Sequence, residues 1–91
     1  MKIAATSITN ASAGELLGEG LAAIGRGDLE VDLAAVTEVD TAAIALLLEW
    51  QRQAAASGGR LRLSGVPADI ASLAKLYGVD GLLGLDEQRA V

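Results

Sequence analysis

The sequence that decides the fold is Val39-Asp40-Thr41-Ala42-Ala43-Ile44-Ala45-Leu46-Leu47-Leu48, where an acidic and a hydroxyl residue precede an apolar run. Either Asp40 or Thr41 can cap a helix, and the run predicts a helix from this point to about Ser57. Two apolar stripes follow its length: Ala43, Leu47 and Ala54 with Trp50 nearby, and Ile44, Leu48 and Ala55. A surface helix needs only one stripe, so part of this helix is expected to meet another helix of the domain or a partner protein.

Two residues of this helix each have two interpretations. Thr41 is either a simple N-cap or a contact or phosphorylation site, since a hydroxyl at a helix N-terminus is exposed and phosphate is favoured there. Trp50 either packs in the core or anchors an interface, because tryptophan is enriched in binding hot spots. The pattern alone favours capping for Thr41 and core packing for Trp50.

Strands are predicted on both sides of this helix. Residues 29–33 and 60–64 alternate between apolar and polar side chains, which is typical of strands with one face in the core. Residues 2–8 form a weaker strand candidate, and residues 82–85 a short last one. Residues 34–39 are interpreted as a connection.

Two further helices are predicted from their end signals. Ser12 and Glu15 have the spacing of a capping box, and the helix they open is expected to stop at Gly25. Pro67 suits the first turn of another helix, which is expected to end at Gly78 in the left-handed conformation. Strands and helices thus alternate, which favours a parallel arrangement in one domain of residues 1–91, with helices mainly on one sheet face.

Composition excludes several classes of partner. The net charge is −5 and the sequence pI about 4.4, which argues against nucleic acid and against direct docking on an anionic lipid surface. The chain has no cysteine, no apolar leader and no apolar run of membrane-spanning length. We therefore expect a cytoplasmic protein without direct membrane insertion, whose association with a membrane goes through a partner.

Residues suited to catalysis are scarce. With no histidine and no cysteine, the commonest general base, the thiolate nucleophile and most transition-metal ligands are missing. The acidic residues Asp28, Glu30 and Asp32, and the pair Glu38 and Asp40, are interpreted as solvated strand edges. The glycines match no phosphate-binding motif. We expect no enzymatic activity, no metal and no cofactor.

Two sets of motifs resemble a known family. Residues 31–33, followed by residues 39–48, resemble the signature of STAS domains, and the likeness extends over roughly residues 16–85. Gly65-Val66-Pro67 and residues 73–79 are similar to the lipid-transport branch, the small STAS subunit of the Mla system that maintains outer-membrane lipid asymmetry. The resemblance implies a small mixed sheet with helices packed mainly on one face.

The resemblance also implies a function. In the lipid-transport branch the subunit binds the ATPase of a phospholipid-transport ABC complex at the inner membrane and supports its assembly and activity. The threonine that matches Thr41 is important for that contact in the family, and we extend the partner-binding site to Ala42, Ala45 and Leu46. The alternative is an anti-sigma factor antagonist regulated by phosphorylation at Thr41.

One departure from the family pattern concerns the sheet. The family has two strands before the first helix, whereas only eleven residues precede Ser12 here. The first strand is therefore expected to be missing, which leaves an open sheet edge that a partner or a second copy of the chain can cover as a homodimer.

Overall fold

The computed structural model of the protein describes residues 1–85 of the 91 in the chain. Strands and helices alternate along it in the order β1 (Ser7–Ile8), α1 (Ala13–Gly25), β2 (Glu30–Asp32), β3 (Glu38–Val39), α2 (Thr41–Ala56), β4 (Arg62–Ser64) and α3 (Ala68–Leu76). Each of the three helices begins a few residues after a strand ends, which is the pattern of an α/β domain. The predicted α/β class is confirmed.

The strand pairs are parallel. β1 pairs with β3, and β2 pairs with β4. An isolated parallel bridge between Lys2 and Asp32 also aligns the residues before β1 with β2, so all of these segments run in one direction. Because the helices follow the carboxyl ends of β1, β3 and β4, all three begin at the same end of the molecule. We call it the Thr41 end, after the first residue of α2.

The sheet differs in detail from the family expectation. The strand pairs formed by residues 1–85 are two separate two-stranded sheets, and both are parallel, where a small mixed sheet was expected. The residues before α1 make a single pass along the sheet: the Ile3 amide donates to the Asp32 carbonyl at 3.0 Å, and the Thr37 amide donates to the Thr6 carbonyl at 2.7 Å. One pass agrees with the single strand expected before the first helix.

Two predictions of strands and loops are wrong. Residues 34–39 are more than a connection, because they contain β3. Residues 82–85 do not form a strand: residues 82–84 are a turn, the Leu83 and Leu85 amides donate back to the carbonyls of Val79 and Asp80, and Gly84 has a φ of 71°. Leu83 and Leu85 are both buried, so their spacing of two resembles a strand pattern although the backbone turns.

The helix ends follow the sequence signals in part. α3 ends as predicted, with Gly78 at a φ of 71° and the Val79 amide donating to the Ala74 carbonyl at 2.8 Å. The capping box of α1 is not formed, because the Ser12 side chain makes no cap hydrogen bond to that helix. Its hydroxyl instead accepts a hydrogen bond from the Thr9 amide at 3.1 Å.

The core is centred on α2, which packs against both α1 and α3. Trp50 is 0% exposed, and its indole N–H donates to the Leu17 carbonyl of α1 at 3.2 Å. Gly20 of α1 makes room for the ring, since a Cβ placed on Gly20 would lie 2.0 Å from Trp50 Cε2. The core interpretation of Trp50 is confirmed. The other large side chains that are fully buried are Ile8, Val31, Leu33, Leu47 and Ile70.

Candidate partner-binding site

The first turn of α2 is fixed by Asp40. Its Oδ1 accepts a hydrogen bond from the Ala42 amide at 2.8 Å, which satisfies one of the amides left without a partner at a helix start. Thr41 is the first residue of the helix itself, and its side chain is exposed. Of the two residues able to cap, Asp40 does so, and the capping interpretation of Thr41 is wrong.

The same carboxylate holds a second segment in place. Asp40 Oδ2 accepts a hydrogen bond from the Asn10 amide at 3.0 Å, and the Asp40 amide donates to the Ile8 carbonyl at 3.3 Å. These bonds exist because β1 and β3 are parallel neighbours, so the chain leaves both strands at the same edge. The turn of residues 9–12 therefore lies beside the first turn of α2.

The turn of residues 9–12 has an internal hydrogen-bond network of its own. The Ala11 amide donates to Thr9 Oγ1 at 3.3 Å, and the Ala13 amide donates to the Thr9 carbonyl at 2.9 Å. The Ser12 hydroxyl donates to the Ser7 carbonyl at 3.3 Å. Because the Asp40 carboxylate accepts hydrogen bonds from both Asn10 in this turn and Ala42 in α2, the turn and the start of α2 form one preformed surface.

The predicted partner-binding residues do not share one environment. Thr41 and Ala45 are exposed one helical turn apart, and Ala42 is half-buried. Leu46 is only 4% exposed and belongs to the core. Successive side chains on a helix point about 100° apart, so the residue after exposed Ala45 turns inward. Thr41, Ala42 and Ala45 can reach a partner, whereas the Leu46 side chain is not part of the surface.

The surplus apolar surface predicted for α2 is largely covered within the domain. Five residues of its two stripes are buried: Ala43, Ile44, Leu47, Trp50 and Ala54. Of the two alternatives, another helix of the domain therefore accounts for most of the surplus, because α1 and α3 both pack on α2. Exposed Thr41 and Ala45 and half-buried Leu48 form a narrow strip at spacings of four and three residues, which we call the α2 outer face; the stripe residue Ala55, near the end of the helix, is also exposed.

The chemistry of the α2 outer face suits contact with another polypeptide. Methyl groups and one hydroxyl dominate it, and the Asp40 carboxylate beside it already accepts a backbone hydrogen bond on each oxygen. Small side chains let another backbone approach closely. The Thr41 hydroxyl can both donate and accept a hydrogen bond.

Sequence reasoning missed the part of this surface that comes from residues 9–12. Asn10 and Ala11 are exposed, and Asn10 lies thirty residues from Asp40 in the chain. Only the pairing of β1 with β3 brings them to α2, and those strands are two residues long. The Ser12-Glu15 signal did mark the turn, but as the cap of a helix.

Another exposed apolar region lies at and after the end of α3. Leu76 is 75% exposed, Tyr77 53% and Leu82 63%. Because α3 begins at the Thr41 end, its last residues point away from that end. This region therefore does not extend the α2 outer face.

A cavity of about 810 Å³ lies at the amino-terminal ends of β2 and β4, away from Thr41. Its charged lining residues are Asp28, Glu30, Arg60 and Arg62. The Asp28 carboxylate contacts the Met1 ammonium at 2.7 Å, and the hydrogen bond between them lowers the pKa of Asp28. The charges around this cavity are of both signs, so they favour no particular class of ligand.

Comparison with known proteins agrees with this architecture. The family model described as "Mlab, STAS domain" matches residues 4–84, a range that contains every named strand and helix and all of the predicted partner-binding residues. A search of curated proteins gave no match. The match covers most of the chain, and the α/β arrangement of three helices on small parallel strand pairs is consistent with it. The chain belongs to the STAS domain family.

Proposed function

We propose that the protein is a non-catalytic accessory subunit that binds the ATPase of a phospholipid-transport ABC complex of the Mla type and supports its assembly and activity. The observation that carries the proposal is the exposed Thr41 at the head of α2, on a surface fixed by Asp40. The match to the family model described as "Mlab, STAS domain" also supports the proposal.

The geometry suggests how such a subunit would act without chemistry of its own. The turn of residues 9–12 and the first turn of α2 are already hydrogen-bonded in the free chain, so little conformational entropy is lost when a partner binds. If the surface fits only one arrangement of the ATPase, binding shifts the ATPase population toward that arrangement.

The proposal places the chain at the cytoplasmic side of the inner membrane, held there by the ATPase. None of the helices in residues 1–85 has the length and apolar content needed to cross a membrane. The contact with the membrane system is accordingly assigned to the partner.

Co-expression with the ATPase tests the proposal. Thr41→Glu puts a bulky charge at the centre of the contact, so this variant is expected to lose co-purification, and ATP hydrolysis is expected to fall to the level of the ATPase without this subunit. An acidic residue in the first turn is favourable for the helix, so folding should be retained and can be checked by circular dichroism.

Ser72→Glu is the matched control, because Ser72 is an exposed hydroxyl residue inside α3, away from the α2 outer face. It should co-purify and support ATP hydrolysis like the unmodified chain. If Thr41→Glu does the same, the proposed contact is wrong.

A second candidate function is an anti-sigma factor antagonist switched by phosphorylation at Thr41. The finding that favours it is that Asp40 caps α2, which leaves the exposed Thr41 hydroxyl free of a capping role. Incubation with an anti-sigma factor kinase and ATP, followed by mass spectrometry, should then show one phosphate that Thr41→Ala abolishes. A chain that stays unmodified under conditions where a known substrate is phosphorylated rules this function out.

A further inference from the structure

We infer that the partner surface that docks on the α2 outer face is basic, with lysine or arginine side chains surrounding a small apolar contact. The inference rests on the proposed function and adds the chemical class of the surface that the ATPase would present. It comes from how the fold arranges charge around Thr41.

Acidic residues collect at the Thr41 end on both sides of α2. Glu15 lies in the first turn of α1 and Asp69 in the first turn of α3, the two helices that flank α2. Glu38 lies in β3, two residues before the helix cap Asp40. The side chains of Glu15, Glu38 and Asp69 are exposed, so their charges reach a docking partner.

Basic residues are absent from the segments that build the Thr41 end. The segments around the helix starts at the Thr41 end are residues 5–19, 33–47 and 64–71, which hold five of the twelve acidic residues and none of the seven basic ones. The rest of the chain holds seven of each sign, so the formal net charge of −5 is the charge of these segments.

Basic residues lie toward the other end. Arg26 follows the end of α1, Lys75 is in the last turn of α3, and Arg60 and Arg62 precede and open β4. An acidic residue in the first turn stabilises α1 and α3 locally, and Lys75 in the last turn of α3 does the same at that end. Because all three helices start at one end, the acidic residues near the helix starts give the domain an acidic Thr41 end, whereas the rest of the chain carries equal numbers of both signs.

The acidic residues around the α2 outer face favour some binding partners over others. A second copy of the chain would bring like charges together in a symmetric contact, which costs binding energy. An anionic lipid surface or a nucleic acid would be repelled as well. A basic protein surface is attracted before contact, which raises the association rate at low ionic strength.

The experiment measures the association rate of this chain with the immobilised ATPase at salt concentrations from about 0.05 M to about 0.5 M, a range over which screening becomes strong. The rate is expected to fall about tenfold or more. Glu38→Lys is expected to slow association about threefold to tenfold at the lowest salt and to weaken the salt dependence.

Glu30→Lys is the matched control, because Glu30 is also an exposed glutamate on a strand but lies at the amino-terminal end of β2. It should leave the association rate within about twofold. Both variants should unfold at the same temperature, which removes altered folding as an explanation.

The outcomes separate this inference from the proposed function. A complex whose association rate is independent of salt, or equally slowed by both variants, overturns the inference and leaves the proposed function standing. The absence of any complex at every salt concentration overturns both. Sedimentation that shows a dimer of this chain, disrupted by Glu38→Lys, assigns the face to a second copy and also overturns the inference.

Discussion

The two faces of α2 are built from similar residues, but one is buried in the core and the other is exposed. On the inner face Ala43, Leu47 and Trp50 are fully buried, whereas on the outer face Thr41 and Ala45 are exposed. Alanine occurs on both faces, so composition does not separate them. The difference comes from where α1 and α3 pack, and it shows that an apolar surplus in a helix sequence does not measure the surface left for a partner.

Substitutions of buried residues on the inner face of α2 should therefore lower the stability of the domain, whereas substitutions of exposed residues on the outer face should affect only binding. Truncations on the inner face are expected to cost several kilocalories per mole, because they leave cavities in the core. Changes on the outer face are expected to alter association with little effect on unfolding.

Trp50→Ala should have the largest effect on stability. It removes the largest fully buried side chain and the hydrogen bond to the Leu17 carbonyl, and about 3–5 kcal/mol of unfolding free energy should be lost. That is a large part of the ~5–15 kcal/mol typical of a domain. Urea denaturation followed by circular dichroism measures it. A loss below about 1 kcal/mol would show that the α1–α2 contact is not the centre of the core.

Gly20→Ala and Gly18→Ala should have opposite effects although they lie two residues apart in α1. A Cβ on Gly20 would overlap the Trp50 ring at 2.0 Å, so this variant should lose about 1–3 kcal/mol. Gly18 has no atom within 4 Å of such a Cβ, and alanine there should raise stability by about 0.5–1 kcal/mol. Thermal denaturation distinguishes them, and equal shifts would contradict the packing of Gly20 on Trp50.

Asp40→Ala tests the boundary between the two faces. Loss of the N-cap should lower the unfolding free energy by about 0.5–2 kcal/mol. Hydrogen exchange should accelerate at both the Ala42 and the Asn10 amides, since each donates to this carboxylate. Asp40→Asn retains an amide oxygen that can cap and should lose less. Unchanged exchange at Asn10 in Asp40→Ala would show that Asp40 does not hold the turn.

Arg52→Gln should have the smallest effect. Arg52 makes an exposed ion pair with Glu49 on the surface of α2, and such pairs contribute little to stability. The hydrogen bond from Arg52 lowers the pKa of Glu49, so any stabilisation is present above the unfolded-state pKa and is lost as the pH falls through the lowered pKa. NMR titration should show the Glu49 pKa rising in Arg52→Gln, with no measurable change in Tm at neutral pH. A clear fall in Tm would contradict this.

The long, patterned elements could be predicted from the sequence. α2 runs from Thr41 to Ala56 as its cap and the following glycines indicated, and Gly78 ends α3 in the left-handed conformation. β3 could not be predicted, because a strand of two residues carries no alternation and exists only by pairing with β1. Local sequence does not contain that pairing.

The candidate site was predictable to a similar degree. The exposure of Thr41 followed from its place at a helix start, whereas the burial of Leu46 depends on which side of α2 the other helices occupy. The contribution of Asn10 depends on β1 and β3 ending at the same edge. Side-chain type and spacing therefore located the helix but not the outline of the surface around it.

The single tryptophan of the chain gives the α1–α2 contact an optical signal of its own. The Trp50 ring is fully buried, and its N–H donates a hydrogen bond to α1. Fluorescence emission at the short wavelengths typical of a buried indole therefore reports that α1 and α2 are docked. The only tyrosine, Tyr77, is half in solvent after α3 and reports a different environment. Selective excitation of the indole can therefore follow docking of the two helices without any added label.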